Sequence, residues 1–254
     1  MKINLNADIG EGYGRWEMGD DESLLKVINS ANIACGKHAG DENIMRNIIY
    51  SCVKKNVSIG AHPGFSDLEG FGRRRINLSK KEVENLIAYQ TGSLIGISHL
   101  EGAKVSHIKP HGALNNMACE DYDLSCAIIK GFKAIDKNLI LLAPVKSQLE
   151  KAGKSLGIKT VREGFADRTY LSNGSLSPRT MKNSVKLDLN ETLNQAIALA
   201  NGDYITTMEG VKIKLNIESI CIHGDKKEAL DQSNLIKNSL LKNNFKLVSL
   251  PNLI

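Results

Sequence analysis

The chain has 254 residues, of which 42% are hydrophobic and 24% charged, and its formal net charge is +5 at pH 7. The basic residues are dispersed and only 5% of residues are aromatic, so the basic and aromatic stretches of nucleic-acid-binding proteins are missing. No apolar run is long enough to cross a bilayer, and the first residues do not resemble a signal peptide. Five cysteines without a CxxC pair fit reduced thiols, so we expect a cytoplasmic protein.

Short strand-like runs recur along the chain, and segments with helical spacing lie between most of them. The seven predicted strands span residues 3–8, 32–36, 57–62, 105–111, 139–144, 158–163 and 217–223. Further helices are predicted at 21–30, 121–135, 145–156, 190–201 and 226–243. Asp41 is predicted to cap a helix with Met45, Ile49 and Val53 on one face. The sequence SKKE at 79–82 predicts a capping box at the start of another helix.

This alternation predicts an α/β fold with a parallel sheet, which either closes into a barrel or stays open and doubly wound. No composition break divides the chain, so we expect one domain over residues 1–254. In both architectures functional groups gather at the carboxyl ends of the strands. Four of the six histidines stand at such ends, and we therefore predict that they share one site.

The segment HIKPHG at 107–112 places two histidines four residues apart. On a helix, His107 and His111 would share a face and could bind zinc. Pro110 lacks the N–H that a helix needs, which favours an extended segment instead. In an extended strand every second side chain points to the same side, so His107, Lys109 and His111 would share one face.

A metal site is an open alternative for the polar strand ends. Asp8, His38, His62, His111 and His223 could converge on zinc or manganese, since carboxylate and imidazole ligands suit both ions. No HExxH or CxxC spacing marks such a site, so the sequence alone leaves a divalent metal undecided.

Two glycine-containing loops carry charged side chains. The stretch GAHPGFSDLEGFGRRR at 60–75 is long enough to act as a lid or anion clamp, with Arg73 or Arg74 as the cation and Arg75 in solvent. In EGFADRTY at 163–170, Asp167 and Arg168 could bind a substrate or form a surface pair.

Six segments occur in order from about Lys2 to beyond Asp225: LNADIGEGYGRWEMGDDESLL, SANIACGKHAGD, IGAHPGFSDLEGFGRR, KPHGALNN, EGFADRTY and CIHGD. Together they resemble the LamB/YcsF family. Two positions depart from the family pattern: Lys37 stands where a bulky or aromatic residue is expected, and Asn115 where tyrosine is usual.

The resemblance implies a barrel of the glycoside hydrolase/deacetylase type with fewer than eight strands, which agrees with the seven predicted runs. It also implies opening of the 5-oxoproline lactam to L-glutamate, coupled to hydrolysis of ATP to ADP and phosphate. The expected partners are 5-oxoprolinase subunits B and C, and a homo-oligomer is a further possibility. The glycines of NADIGEGYG do not complete a dinucleotide fingerprint, and no Walker A loop is present, so ATP could bind to a partner.

These inferences lead to a hypothesis for the site. Asp8 or Glu11 would act as the base, and His38, His62 and His111 would transfer or orient protons. The remaining predicted residues bind substrate: Lys109, Arg73, Asp167, Arg168 and His223. Two other functions stay open, namely a stand-alone metal-dependent deacetylase or amidohydrolase and a non-catalytic scaffold for partner subunits.

Overall fold

A computed structural model describes residues 1–178, 181–186, 188–222 and 227–253. Its strands are β1 (Lys2–Ile9), β2 (Ser30–Ala34), β3 (Ser58–His62), β4 (Val105–Ile108), β5 (Ile140–Pro144), β6 (Thr160–Phe165), β7 (Tyr204–Thr206), β8 (Lys212–Lys214), β9 (Ser219–Cys221) and β10 (Lys246–Leu247). Strands β1 to β6 pair in parallel in chain order, and β9 pairs in parallel with both β6 and β1. The sheet is therefore a closed seven-stranded parallel barrel, and the predicted α/β barrel is confirmed.

Helices connect most of the barrel strands. They are α1 (Asp21–Leu24), α2 (Glu42–Lys55), α3 (Lys80–Leu100), α4 (Gly112–Glu120), α5 (Tyr122–Ile135), α6 (Gln148–Ser155), α7 (Leu189–Asn201) and α8 (Lys227–Lys242), followed by a 3-10 helix at Leu250–Asn252. Strands β7 and β8 form an antiparallel hairpin outside the barrel. Within the described ranges, none of the helices combines the length and the apolar character needed to cross a membrane.

Local sequence signals explain where two of the helices begin. At α2, the Asp41 side chain accepts hydrogen bonds from the backbone N–H groups of Asn43 and Ile44. At α3, the Ser79 hydroxyl accepts from Glu82 N, and the Glu82 carboxylate accepts from Ser79 N at 2.7 Å. The predicted N-cap and the predicted capping box are both confirmed.

The buried face of α2 differs from the predicted one. Met45, Ile49 and Cys52 are buried, whereas Val53 is 50% exposed, so the inclusion of Val53 in the apolar stripe was wrong. With 3.6 residues per turn, position i+7 returns closer to the face of Met45 than position i+8 does. Cys52 therefore takes the inward position that had been assigned to Val53.

The segment after β4 is extended and leads into a helix that was not predicted. Strand β4 ends at Ile108, and His111 has φ −93° and ψ 150° as the N-cap of α4. Gly112 has φ +52°, and a Cβ there would lie 2.7 Å from the Gly72 carbonyl oxygen. The helical alternative for HIKPHG is wrong, and the extended reading is confirmed up to His111.

Alternation along β1 divides its side chains between two environments. Ile3 and Leu5 belong to the main hydrophobic core, whereas Asn4 and Asn6 are fully buried in hydrogen bonds to side chains on other strands. The C-terminal segment closes the end of the barrel where the strands begin, because Asn4 donates to the Val248 carbonyl and the Leu250 N–H donates to Ser30. The accessible end is therefore the carboxyl end of the strands.

Candidate active site at the carboxyl ends of the barrel strands

Lys109 lies inside the barrel between two carboxylates. Its Nζ is 3.1 Å from Asp8 Oδ1 and 2.8 Å from Glu163 Oε1, and only 4% of its side chain is exposed. Burial alone would lower the pKa of Lys109, but Asp8, Cys221 and Glu163 together raise it well above its usual value. The lysine is therefore held as a cation.

Asp8 has different partners for its two oxygens. Oδ1 accepts a hydrogen bond from Asn32 Nδ2 at 2.9 Å, and Oδ2 lies 3.3 Å from His62 Nε2. Burial acts to raise the pKa of Asp8, but His62 and Lys109 outweigh it and the net shift is well below the usual value. Burial raises the pKa of the fully buried Glu163 despite its contact with Lys109. The two carboxylates beside Lys109 thus differ, since the pKa is lowered at Asp8 and raised at Glu163.

His62 and His111 face each other with their proton positions fixed by backbone carbonyls. His62 Nδ1 lies 2.7 Å from the Lys109 carbonyl, and His111 Nε2 lies 2.9 Å from the Phe71 carbonyl. A carbonyl only accepts, so both of these nitrogens must carry the proton. The other nitrogens, His62 Nε2 and His111 Nδ1, are 2.9 Å apart, so two lone pairs face each other when neither nitrogen carries a proton.

Glu11 and His38 complete this arrangement. Glu11 Oε1 lies 3.3 Å from His111 Nδ1 and 3.6 Å from His38 Nε2. The His38 ring stacks on His111 with centroids 3.7 Å apart, and among the described residues neither of its nitrogens has a hydrogen-bond partner. One ligand atom from each of Glu11, His38, His62 and His111 lies within 4.8 Å of the others. We call these four residues the Glu–His cluster.

The donor set of the Glu–His cluster fits a divalent metal ion. Two facing lone pairs beside a carboxylate repel one another unless a proton or a metal ion lies between them. Burial lowers the pKa of His38 well below its usual value, and it lowers the pKa of His111 to about 3. Both shifts favour the neutral imidazole, which is the form that binds metals. Three imidazoles and one carboxylate are ligands suited to zinc and related ions. The cluster is a possible metal-binding site.

The composition of the predicted metal site changes in two respects. Glu11 joins the three histidines as a possible ligand, while Asp8 contacts the cluster through His62. His223, which was predicted both as a metal ligand and as a substrate-binding residue, lies outside the described residues.

Glycines provide the space that the histidine rings occupy. A Cβ at Gly64 would lie 2.5 Å from His38 Nδ1, and one at Gly72 would lie 2.8 Å from His38 Cβ. Gly72 also has φ +62°, a conformation that side chains disfavour. The glycine-rich loop after β3 thus allows the close approach of the cluster.

Gln90 on α3 holds this loop in place. The fully buried side chain accepts from Gly64 N at 3.0 Å and donates to Gly64 O at 2.8 Å. Its amide therefore satisfies both backbone groups of a glycine that packs against His38.

The three consecutive arginines differ in their partners. Arg74 pairs with Asp67, and Arg75 lies 2.9 Å from Glu120. The Arg73 guanidinium lies over the Phe71 ring at 5.5 Å, and within the described part of the chain no carboxylate is within ion-pairing distance of it. The Phe71 ring in turn contacts His38 and His111 edge-on. Arg73 is therefore a cation beside the Glu–His cluster.

The two predicted residues after β6 are not brought into the Glu–His cluster. Arg168 is buried, and its guanidinium donates to the carbonyls of Ser184 at 3.1 Å and Ser177 at 2.6 Å. These bonds tie the loop after β6 together. Asp167 lines a separate depression with Cys221 and residues of α8.

Sequence reasoning left three contributors out of the predicted site residues. Glu163 stands at the end of a predicted strand in EGFADRTY, and this position alone could have identified it as a site residue. Asn32 and Gln90 carried no signal, because a buried amide in a strand or helix is unremarkable until its partners are known.

The family model described as the LamB/YcsF family matches residues 3–254. The chain belongs to this family. The family resemblance seen in the sequence is therefore confirmed. A relative from Azoarcus sp. (strain BH72), named as the A subunit of 5-oxoprolinase, is 43% identical over 99% of this chain and 98% of its own length.

Solved structures agree with this assignment. A crystal structure of a lactam utilization protein from Thermus thermophilus matches with a TM-score of 0.93 and 34% identity, covering 98% of this chain and 100% of that chain. The catalytic domain of a peptidoglycan N-acetylglucosamine deacetylase from Eubacterium rectale ATCC 33656 matches at a TM-score of 0.51 and 10% identity, covering 99% of this chain and 89% of that chain. The second likeness concerns the fold alone, and it confirms that the barrel is of the deacetylase type.

Proposed function

We propose that this chain opens the lactam ring of 5-oxoproline to give L-glutamate, as one component of an ATP-dependent 5-oxoprolinase that also contains subunits B and C. The observation that carries the proposal is the meeting of Asp8 and Lys109 with the Glu–His cluster at the accessible end of the barrel. The name of the 43% identical relative and the lactam utilization protein with the same fold give further support.

The reaction explains why ATP would be needed. A five-membered lactam is a stable amide whose open product recloses readily, so hydrolysis alone has little driving force. Transfer of the γ-phosphoryl group of ATP to the lactam oxygen would make the ring carbon a better electrophile, and water would then open the ring with release of phosphate. ADP, phosphate and L-glutamate are the products.

The residues of the site have distinct roles in this proposal. Asp8, kept ionised beside Lys109, takes a proton from the attacking water. Lys109 provides a positive charge next to the oxygen on which negative charge develops. Arg73 binds the substrate carboxylate or a phosphoryl oxygen at the rim.

We further infer that Glu11, His38, His62 and His111 hold a divalent ion. Such an ion, when bound, supplies a positive charge that polarises a lactam carbonyl. The protein contributes the neutral imidazoles, whose orientation is set at His62 and His111 by the carbonyls of Lys109 and Phe71.

The test is release of L-glutamate from 5-oxoproline, measured with and without ATP, by this chain alone and by its complex with subunits B and C. We expect release only from the complete complex with ATP. Asp8→Ala, His62→Ala and Lys109→Ala are expected to abolish it, while Arg75→Ala serves as the matched surface control. Near-normal turnover in all three site variants would remove the assignment and favour a scaffold role.

A second candidate is a stand-alone metal-dependent deacetylase or amidohydrolase, and the Glu–His cluster favours it because such enzymes need a metal ion. This alternative predicts hydrolysis by the isolated chain that a chelator removes and ATP does not change. Absence of any ATP-independent hydrolysis of lactam and N-acetyl substrates by the metal-loaded chain would exclude it.

A further inference from the structure

His107, Asn32 and Asp8 form a line of hydrogen bonds inside the barrel. His107 Nε2 lies 3.1 Å from Asn32 Oδ1, and Asn32 Nδ2 lies 2.9 Å from Asp8 Oδ1. His107 and Asn32 are both fully buried. His107 belongs to the HIKPHG segment, but it touches neither Glu11 nor the other three histidines in the described contacts.

The direction of these hydrogen bonds follows from Lys109, which can only donate. Lys109 Nζ lies 3.4 Å from Asn6 Oδ1, so this oxygen of Asn6 is the acceptor. The Asn32 amide nitrogen lies 2.8 Å from the same oxygen and also faces the Asp8 carboxylate. The amide of Asn32 therefore directs both N–H groups at acceptors and its oxygen at His107.

It follows that His107 must carry its proton on Nε2. Burial is the largest cause that lowers the pKa of His107 to about 3, so the ring is neutral and has a single proton to place. On the other side of the ring, Nδ1 lies 2.9 Å from the Ser106 hydroxyl, which also lies 3.0 Å from the Ile59 carbonyl. With the ring proton on Nε2, the hydroxyl donates its single proton to Nδ1 and not to Ile59. The ring fits because residue 60 on β3 is glycine, where a Cβ would lie 2.2 Å from the ring.

We propose that His107 is a positioning residue for Asp8 and acts through Asn32. The Nε2–H of His107 holds the oxygen of the Asn32 amide, whose N–H groups face the acceptors Asn6 and Asp8. Asn32 then keeps a donor on Asp8 Oδ1, which leaves Oδ2 facing His62. Without the His107 donor the buried Asn32 oxygen has lost its hydrogen bond, so the amide shifts towards another donor and its bond to Asp8 Oδ1 loosens. The Asp8 carboxylate is then free to turn away from the reacting atoms.

The kinetic part of the test rests on the proposed function and compares two variants in the complete complex. His107→Leu removes the donor, whereas His107→Gln keeps an N–H near the position of Nε2. We expect His107→Leu to lower kcat about 100-fold at nearly constant KM, the size of effect that follows a small misplacement of a catalytic group. His107→Gln should recover at least a tenth of wild-type kcat. His99→Leu, at an exposed histidine of α3, is the control.

Coupling between the two residues provides a second criterion. Because His107 acts only through Asn32, the double variant His107→Leu, Asn32→Ala should be no slower than Asn32→Ala alone. Equal losses in the leucine and glutamine variants, a loss explained by KM, or additive losses in the double variant would each overturn the proposal.

A spectroscopic measurement does not depend on turnover. Nitrogen-15 NMR of the wild-type chain should show His107 with a protonated Nε2, an unprotonated Nδ1 and a slowly exchanging ring proton. A proton on Nδ1 would overturn the proposed line of hydrogen bonds from His107 through Asn32 to Asp8, even if the enzyme assay succeeds. If the complex shows no 5-oxoprolinase activity, the proposed function fails, and the NMR result still decides the arrangement of His107 and Asn32.

Discussion

His62 Nε2 and His111 Nδ1 face each other across 2.9 Å, because the other nitrogen of each ring donates its proton to a backbone carbonyl. Neither carbonyl can reverse its role, so the outer protons stay in place, and an added cation, either a proton or a metal ion, is needed to relieve the contact. The fold thus builds a place for a positive charge, and Glu11 adds a carboxylate to it.

The first prediction concerns metal binding. Chelator-treated protein should bind one equivalent of Zn²⁺ or Mn²⁺ in isothermal titration calorimetry. His111→Ala or Glu11→Gln should weaken the affinity by more than the roughly 100-fold that loss of a supporting outer residue can cost. His99→Ala, which changes an exposed histidine, should leave it unchanged. Wild-type affinity in the His111 and Glu11 variants would exclude the Glu–His cluster as the metal site.

The second prediction concerns Gln90, which bonds both backbone groups of Gly64. Gln90→Leu has a similar size but leaves a buried N–H and a buried carbonyl without partners, at a cost of about 1–3 kcal/mol for each group. We expect a lower free energy of unfolding in urea and weaker metal binding, because Gly64 packs against His38.

Gln90→Glu is the matched control for this effect. Its carboxylate can still accept from Gly64 N but cannot donate to Gly64 O while ionised, so the variant should recover part of the stability as the pH falls. Unchanged metal affinity in Gln90→Leu would show that the loop keeps its position without the amide.

The third prediction concerns pH and Asp21, at the start of α1. Burial raises the pKa of Asp21 to about 6, against the Gly10 hydrogen bond that lowers it, and Glu11 adds to the increase. Between the unfolded pKa of about 3.9 and the folded value of about 6, the folded state binds a proton that the unfolded state does not. Asp21 therefore makes the metal-free protein more stable as the pH falls through this window, and less stable above it.

Asp21→Asn isolates this contribution, since an asparagine oxygen can still accept from Gly10 N. The variant should unfold at a higher urea concentration than the wild type at pH 7, and the difference should shrink towards pH 4. Equal stabilities of the two proteins at pH 7, with the same slope from pH 4 to pH 6, would contradict the raised pKa.

The barrel could be predicted from sequence because its signals are local. Alternating apolar runs, the Asp41 cap and the capping box at Ser79 each lie within a few residues, and the structure contains all of them. Helix α4 was missed because its N-cap, His111, makes no side-chain capping bond and its first residue is a glycine. Local signals therefore define most of the barrel strands and their helices, and an unusual helix start hides α4.

The candidate site was predictable only as a set of strand ends. Glu11 and the three histidines could be named because parallel strands bring such residues to one rim. Their pairwise geometry depends on contacts between residues far apart in the chain, such as Asn32 with Asp8 and Lys109 with Glu163. Arg168 illustrates the limit, since its tie to the Ser177 and Ser184 carbonyls has no signature in the sequence.

The last prediction distinguishes the three adjacent arginines. Arg74 and Arg75 pair with Asp67 and Glu120, whereas Arg73 lies over Phe71 beside the Glu–His cluster. A charge-assisted hydrogen bond to an anion contributes about 1.5–3 kcal/mol, so Arg73→Ala should raise KM for 5-oxoproline about 10- to 100-fold. Since such a contact is made equally in the ground and transition states, kcat should change little.

Arg75→Ala is the matched control, because it removes the same side chain two positions away and breaks only an exposed ion pair. It should leave KM within about twofold of wild type. Steady-state kinetics of the complete complex at saturating ATP measure both variants. An equal effect of the two substitutions would mean that the loop contributes a diffuse positive charge, and a loss confined to kcat would place Arg73 with the groups that act in the transition state.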